Sequence, residues 1–233
     1  MIDKVRAVLA NAPERRRRTG RPLVTLTYAQ SLDGSIAAQR GERLLLSGPE
    51  SLRFTHELRS IHDAILVGVG TVVDDNPHLT VRLVPGQSPQ VVVVDSQLRV
   101  PASANIFRNE RQPWLATTAA ADEERAGVLE LHGAQTFRLP STENGWVNLG
   151  AMLDRLGAVG IDSLMVEGGS RIITSFLTAG LVDQLVITIA PLLVGGRRSV
   201  DAMLSPLLQL DNLTIKRVGA DLLVRGDLSA SDR

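Results

Sequence analysis

Ala64-Ile-Leu-Val67, running on into Gly68-Val-Gly-Thr-Val-Val-Asp-Asp-Asn-Pro-His-Leu-Thr-Val-Arg82, is the stretch from which the fold is read. A short apolar run bounded by glycine is the pattern of a buried strand, here Ala64 to Val69, and the residues beyond it read as a polar loop at the carboxyl end. Gly68 and Gly70 let another group approach the main chain closely, and Pro77 fixes the loop beside the paired acids Asp74 and Asp75. Arg82 returns a positive charge after Leu79-Thr-Val81. Acid, cation and bare backbone so close together suit a small polar ligand carrying a phosphate or an alcohol.

Outward from this stretch, short β-rich runs alternate with longer helical ones. Leu23 to Tyr28, Val91 to Asp95, Trp114 to Thr117, Ala134 to Leu139, Ser163 to Val166 and Leu185 to Ala190 read as strands. Val91-Val-Val-Val has apolar side chains on both faces, which places it centrally in a sheet covered on both sides. Ser47-Gly-Pro-Glu50 reads as a capping box opening a helix with Phe54, Leu58 and Ile61 on one face. Asp122 to His132 is a further helix, Asn148 caps another carrying Leu149, Met152, Leu153 and Leu156, and Ser170 to Ala179 is closed by Gly180. Leu213 to Val218 and Leu222 to Gly226 form a closing antiparallel hairpin. The expectation is an α/β three-layer sandwich whose mixed, mostly parallel sheet ends in that hairpin; the tail and the length disfavour an eight-unit barrel.

Residues 1–21 differ from the rest. Ile2, Val5, Val8 and Leu9 have helical spacing, and Pro13-Glu-Arg-Arg-Arg-Arg18 then reads as a solvated basic linker, so 1–21 is set apart from a main domain, 22–233.

The 233 residues are 44% hydrophobic, enough for one large core. With 25 basic and 25 acidic residues the formal charge is +0, which gives no electrostatic case for nucleic acid or an anionic membrane. The absence of cysteine removes disulfides, thiol catalysis and cysteine-ligated metals. No apolar run approaches the ~18 residues of a membrane span, and Met1-Ile-Asp-Lys4 lacks a signal-peptide core, so a cytoplasmic protein is expected. His56, His62, His78 and His132 have no metal-ligand spacing, and no metal is expected.

Two further motifs follow strands. Ala29 to Ala37 contains Asp33-Gly34, which suits either a tight turn or a ligand loop. Glu167-Gly168-Gly169-Ser170-Arg171 lies at a strand-to-helix junction, where the glycines permit either a tight turn or contact between a phosphate and the helix N-terminus. Glu167 favours the second reading, because a carboxylate ending a buried strand is costly without a partner. Since ligands gather at the carboxyl ends of strands in open α/β sheets, these segments, the Gly68 stretch and Asp95-Ser96 point to one shared cleft. No Gly-x-Gly-x-x-Gly follows the first strand, and no Walker loop, Gly-x-Ser-x-Gly elbow or His-Glu-x-x-His helix is present.

Ser31-Leu-Asp-Gly34, Gly70 to Arg82, and Val166-Glu-Gly-Gly169 with Gly180-Leu-Val-Asp183 together resemble the pyrimidine reductases of riboflavin biosynthesis, from about Arg21 to Gly226. The resemblance implies a dihydrofolate reductase-like fold, with 22–233 as the reductase domain. It also implies NADPH-dependent reduction of the ribosyl group of an aminopyrimidine ribose 5′-phosphate to a ribityl chain. It places Ala29, Thr71, Asp75, Ser96 and Gly168, Gly169, Ser170, Arg171 and Ile172 on the cofactor, with Gly169 to Ser175 cradling the pyrophosphate and Ser96 at the adenosine half. Arg59, Leu79, Arg82 and Glu167 are implied to hold the substrate, and Asp75 and Glu167 to be catalytic. Ser96 and Arg99 are candidates for a 2′-phosphate contact, and the Gly168–Gly169 bond is expected to be cis. A homodimer and a separate deaminase polypeptide are implied as partners; the apolar run Leu185 to Ala190 suits either an interface or an internal strand. Thr27, Arg43 and Leu45 depart from the family pattern near the substrate. The alternatives are a related reductase acting on another small substrate and a non-catalytic nucleotide-binding module.

Overall fold

The computed structural model describes residues 1–39 and 44–228; Arg43 lies outside them. The chain runs α1 (Ile2–Leu9), α2 (Ala12–Thr19), β1 (Leu23–Ser31), β2 (Ser35–Ala37), α3 (Pro49–Arg59), β3 (Ala64–Gly68), α4 (Val69–Asp75) and β4 (Gln90–Val94). It continues through β5 (Trp114–Thr118), α5 (Glu123–Leu131), β6 (Gln135–Leu139), α6 (Leu149–Ala158), β7 (Ser163–Val166), α7 (Ser170–Thr178), β8 (Gln184–Ala190), β9 (Arg197–Arg198), β10 (Leu210–Val218) and β11 (Asp221–Leu228).

Nine strands form one sheet in the order β10-β11-β8-β1-β7-β3-β4-β5-β6. From β6 to β8 every neighbouring pair is parallel; β11 joins β8 antiparallel, and β10 joins β11 the same way. Strand alternation sorts the side chains into two apolar layers. Leu26, Leu66, Val92 and Val166 pack beneath α6 and α7, with Met152, Leu156, Ile173 and Phe176. Ile65, Val67, Val91 and Val93 face the other way, against Val69 and Val72 of α4 and Ala126 and Leu129 of α5. Farther along that second face, Val5 of α1 and Phe54 and Leu58 of α3 pack on Met165, Val186 and Leu223. The expected three-layer α/β sandwich is thus the architecture.

Four local expectations change. Residues 69–75 are helical, not loop, because Val69 and Val72, one turn apart, are both buried against the sheet; this packing outweighs the weak helix propensity of glycine and β-branched residues. Asn76 ends that helix in the left-handed region at φ 42°, just before Pro77.

The basic segment after Pro13 is likewise a helix, α2, closed by Gly20 at φ 74°, and it is docked rather than solvated. Arg15 pairs with Asp183 and Arg16 with Asp162. The Ser47 capping box does not form: α3 starts at Pro49, and the Gly48 N–H donates to Asp221 Oδ2 at 2.8 Å. The Gly168–Gly169 bond is trans; among the described residues the cis bond is Ser205–Pro206. Of the two readings of Leu185 to Ala190, the internal strand is the one found, since β8 is paired with β1 and β11.

A buried polar chain crosses the α3 face. Arg225 Nη2 donates to Gln184 Oε1 (3.3 Å), Gln184 Nε2 to Thr25 Oγ1 (2.9 Å), the Thr25 hydroxyl to His62 Nε2 (2.8 Å), and His62 Nδ1 to the Leu58 carbonyl (2.7 Å). With both nitrogens used in the neutral ring, burial pushes the His62 pKa down to about 4.

Candidate active site

The carboxyl ends of β1, β7, β3 and β4 open into one cleft of about 1170 Å³. Ala29, Glu167, Gly68 and Ser96 mark the four strand ends in its wall, and Gly169, Ser170, Arg171, Ile172, Thr71, Asp74 and Asp75 add the two helices that begin there. Among the described residues no group of His, Cys, Asp or Glu has the arrangement of a metal site.

The amino end of α7 supplies main-chain donors. Gly169 caps it in extended conformation, and its carbonyl accepts the Ile173 N–H at 3.1 Å. The preceding N–H groups, on Ser170, Arg171 and Ile172, have no carbonyl one turn back to bond, so a helix dipole and open donors face the cleft together. The Ser170 hydroxyl donates to the Arg198 carbonyl (2.6 Å) and the Thr174 hydroxyl to Asp201 Oδ1 (2.7 Å), which fastens the 197–201 segment, with Arg197, along this wall.

The glycine pair divides in two. A Cβ on Gly168 would lie 2.6 Å from Ile172 Cγ2, and one on Gly68 would lie 2.7 Å from Ile172 Cγ1. Both are glycine because Ile172 packs across both backbones, and Gly168 stands behind the cleft wall. A Cβ on Gly169 meets only Thr71 Oγ1, at 3.6 Å, so here the glycine is on the cleft side.

Glu167 has the partner its position demands. Arg59, 7% exposed, holds it on two atoms, Nε to Oε2 at 3.0 Å and Nη2 to Oε1 at 2.6 Å, while Arg59 Nη1 donates to the Thr80 carbonyl at 3.2 Å. The fork geometry fixes the carboxylate's direction at the cleft edge. Arg59 itself is behind Glu167 and outside the wall. Asp75 ends α4 on the cleft, exposed, one turn after Thr71.

Three other predicted residues are placed differently. The Leu79 side chain is 2% exposed in the core with its main chain at φ 59°, so only its main chain could reach a ligand. Arg82 is exposed and is not itself part of the described cleft wall; its Nη1 donates to Thr80 Oγ1 at 3.1 Å. Ser96 lines the cleft, but its hydroxyl oxygen accepts the Val147 N–H at 3.0 Å and so docks the 142–147 turn on the sheet.

Asp33 belongs to the turn reading. It accepts from the hydroxyls of Ser31 (2.5 Å) and Ser35 (2.8 Å) and from the N–H groups of Val194 (3.0 Å) and Gly195 (2.7 Å). These donors, the Ser31 hydroxyl foremost, hold its carboxyl far below the usual carboxylate range.

Trp146 was not anticipated. It lines the cleft, 42% exposed, with the Arg171 guanidinium 4.6 Å above its ring. The signal available was an aromatic directly after the turn pair Asn144-Gly145, whose glycine sits at φ 74°. Leu45, one of the departures from the family pattern, also lines the cleft and is 66% exposed.

The fold and cleft define a class: an α/β protein with one open cleft across the carboxyl edge of a mostly parallel sheet, with a helix amino end in its wall. The chain belongs to the family described as RibD C-terminal domain, which it matches over residues 22–224. It is 43% identical over 180 residues to the 2,5-diamino-6-ribosylamino-4(3H)-pyrimidinone 5′-phosphate reductase of Methanothermobacter thermautotrophicus, covering 76% of this chain and 81% of that one. It is 36% identical over 209 residues to the riboflavin biosynthesis protein RibD of Aquifex aeolicus, covering 88% of this chain but 57% of that protein.

Among solved structures, the riboflavin biosynthesis reductase Rib7 of Saccharomyces cerevisiae superposes with TM-score 0.71 and 28% identity over 97% of this chain and 99% of that one. RibD of Acinetobacter baumannii gives 0.79 and 24% over 94% and 62%. Dihydrofolate reductase of Enterococcus faecalis gives 0.53 and 14% over 89% and 96%, a likeness of fold. The expected family and the dihydrofolate reductase-like fold are both found.

Proposed function

We propose that this chain is an NADPH-dependent reductase that converts the ribosyl group of an aminopyrimidine ribose 5′-phosphate to the ribityl chain. The observation that carries the cofactor is the amino end of α7 at the centre of the cleft. From Ala29 on β1 to Ser96 beyond β4 the sheet makes three steps, through β7 and β3, about 14 Å at ~4.8 Å per step. That span suits an extended dinucleotide with its pyrophosphate on the N–H groups of Ser170 to Ile172. The nicotinamide end then lies by Ala29 and Thr71, and the adenosine end by Ser96, Arg99 and the Trp146–Arg171 stack. When bound, NADPH supplies a hydride; the protein supplies position and proton handling.

The reaction asks two things of these residues. The furanose must open, breaking C1′–O4′ as the ring oxygen gains a proton and C1′ becomes an imine carbon. C1′ then takes the hydride, and the imine nitrogen takes a proton from water or an acid. Asp75, on the wall beside Thr71, handles the proton at the sugar. Glu167, held rigid by Arg59, orients the ribose or base. Arg82 meets the phosphate. The names carried by the relatives in Methanothermobacter thermautotrophicus and Archaeoglobus fulgidus support the diaminopyrimidinone form of the substrate.

The test is loss of reduced-nicotinamide absorbance when purified protein meets NADPH and each pyrimidine ribose phosphate. Oxidation with the diamino compound is expected. Oxidation only with unrelated imines, or NADPH binding without turnover, would overturn the reading.

A further inference from the structure

Helix α3 grips the segment that follows the α4 helix at three successive points. Arg53 Nη1 donates to the Leu83 carbonyl at 3.1 Å, His56 Nδ1 accepts the Arg82 N–H at 2.9 Å, and Arg59 Nη1 donates to the Thr80 carbonyl at 3.2 Å. The three residues are spaced i, i+3 and i+6, so they rise along one side of the helix. Each takes one main-chain group of the segment Thr80–Leu83. The same Arg59 clamps Glu167, so one helix sets the separation between Glu167 and the backbone that carries Arg82.

The central contact depends on the protonation state of one ring. A main-chain N–H can only donate, so His56 Nδ1 must present its lone pair and the proton of the neutral ring sits on Nε2. Nε2 is fully buried and has no hydrogen-bond partner among the described residues. Burial, together with the charges of Arg59 and Arg82, lowers the His56 pKa to about 4, against an opposing effect of Glu167. An imidazolium would set an Nδ1–H against the Arg82 N–H, donor to donor. A buried, half-satisfied histidine is a poor choice for stability alone; as an acceptor aimed at one N–H it is well suited.

We propose that His56 is a positioning residue for substrate binding: by accepting the Arg82 N–H it holds the Thr80–Arg82 backbone in register with the Arg59–Glu167 pair. His56 is buried, so it acts through Arg82 and Glu167 and touches neither cofactor nor substrate. This rests on the reductase reading for the identity of the ligand, and on geometry alone for the clamp.

The experiment compares His56→Leu, which keeps volume but loses the acceptor, with His56→Asn, whose Oδ1 can stand where Nδ1 stands. Steady-state kinetics should show the substrate KM raised about tenfold or more in His56→Leu, with the NADPH KM within about twofold of wild type, and largely restored in His56→Asn. Hydrogen exchange of the Thr80–Leu83 amides, read without any substrate, should show the Arg82 amide protected in wild type and His56→Asn and exposed in His56→Leu. Equal behaviour of the two variants, or a parallel rise in both KM values, would overturn the proposal. Loss of Arg82 protection in a protein that turns over no pyrimidine phosphate would keep the clamp and remove its assigned substrate.

Discussion

At the amino ends of the parallel strands, acids are closed off by donors from their own chain. Asp63 Oδ2 accepts the N–H groups of Asp162 (3.1 Å) and Ser163 (2.8 Å) and the Ser163 hydroxyl (2.9 Å). Asp183 accepts the Val24 N–H at 2.8 Å and the Arg15 guanidinium, and Arg16 covers Asp162. At the carboxyl ends the first-turn N–H groups of α7 face an open cleft, and Asp75 lies exposed on its wall. What separates the two ends is the first turn of α7, whose N–H groups have no carbonyl one turn back, whereas the donors of the amino edge are taken up by Asp63, Asp162 and Asp183. The amino edge is where strands and α2 are stapled together; the carboxyl edge also pairs Asp33 and Glu167 within the chain, but it leaves the amino end of α7 facing the cleft.

That contrast is broken if substitutions at the open end cost stability or those at the closed end cost turnover. The largest effect is expected of Asp75→Asn: turnover falls about a thousandfold, while NADPH binding by fluorescence titration and the melting temperature stay near wild type. Acidification comes next. His56 and His62 have folded pKa values of about 4 against an ordinary 6.5, so the unfolded chain takes up their protons first. Stability falls as pH drops from 6.5 towards 4, by up to ~3 kcal/mol for the deeply buried His62 and by less for His56; denaturant melts across that range measure it.

Gly157→Ala tests the closed end. Its Cβ would lie 1.9 Å from the Gly20 carbonyl oxygen, so the protein should lose about 2 kcal/mol or more of stability with unchanged KM values in the folded fraction. The smallest effect is expected of Arg99→Ala, which should raise the NADPH KM about fivefold and leave the NADH KM alone. Equal effects on both nucleotides would place the 2′-phosphate elsewhere.

The central strands were legible because strands covered on both faces are written as continuous apolar runs, as Val91 to Val94 shows. The family blocks placed Thr71, Asp75, Glu167 and Gly169 around one cleft from sequence alone. Helix α4 was hidden by its own composition, since Val-Gly-Thr-Val-Val reads as strand or loop until the burial of Val69 and Val72 is known. A stop signal was present in Asn76-Pro77. The arginines of α2 read as a solvated linker because their partners, Asp162 and Asp183, are far away in sequence. Gly168 resembled a ligand glycine until Ile172 was seen across it, and nothing local marks Leu79 as a core residue at positive φ. The His56–Arg82 contact joins two segments whose meeting depends on the fold, so no spacing rule reveals it.

The most direct test is a crystal structure with NADPH bound. The account predicts pyrophosphate oxygens within hydrogen-bond distance of the main-chain N–H groups of Ser170 to Ile172, nicotinamide beside Ala29 and Thr71, and the adenosine end by Ser96 and Trp146. NADPH density elsewhere, with none beside Gly169, would contradict it.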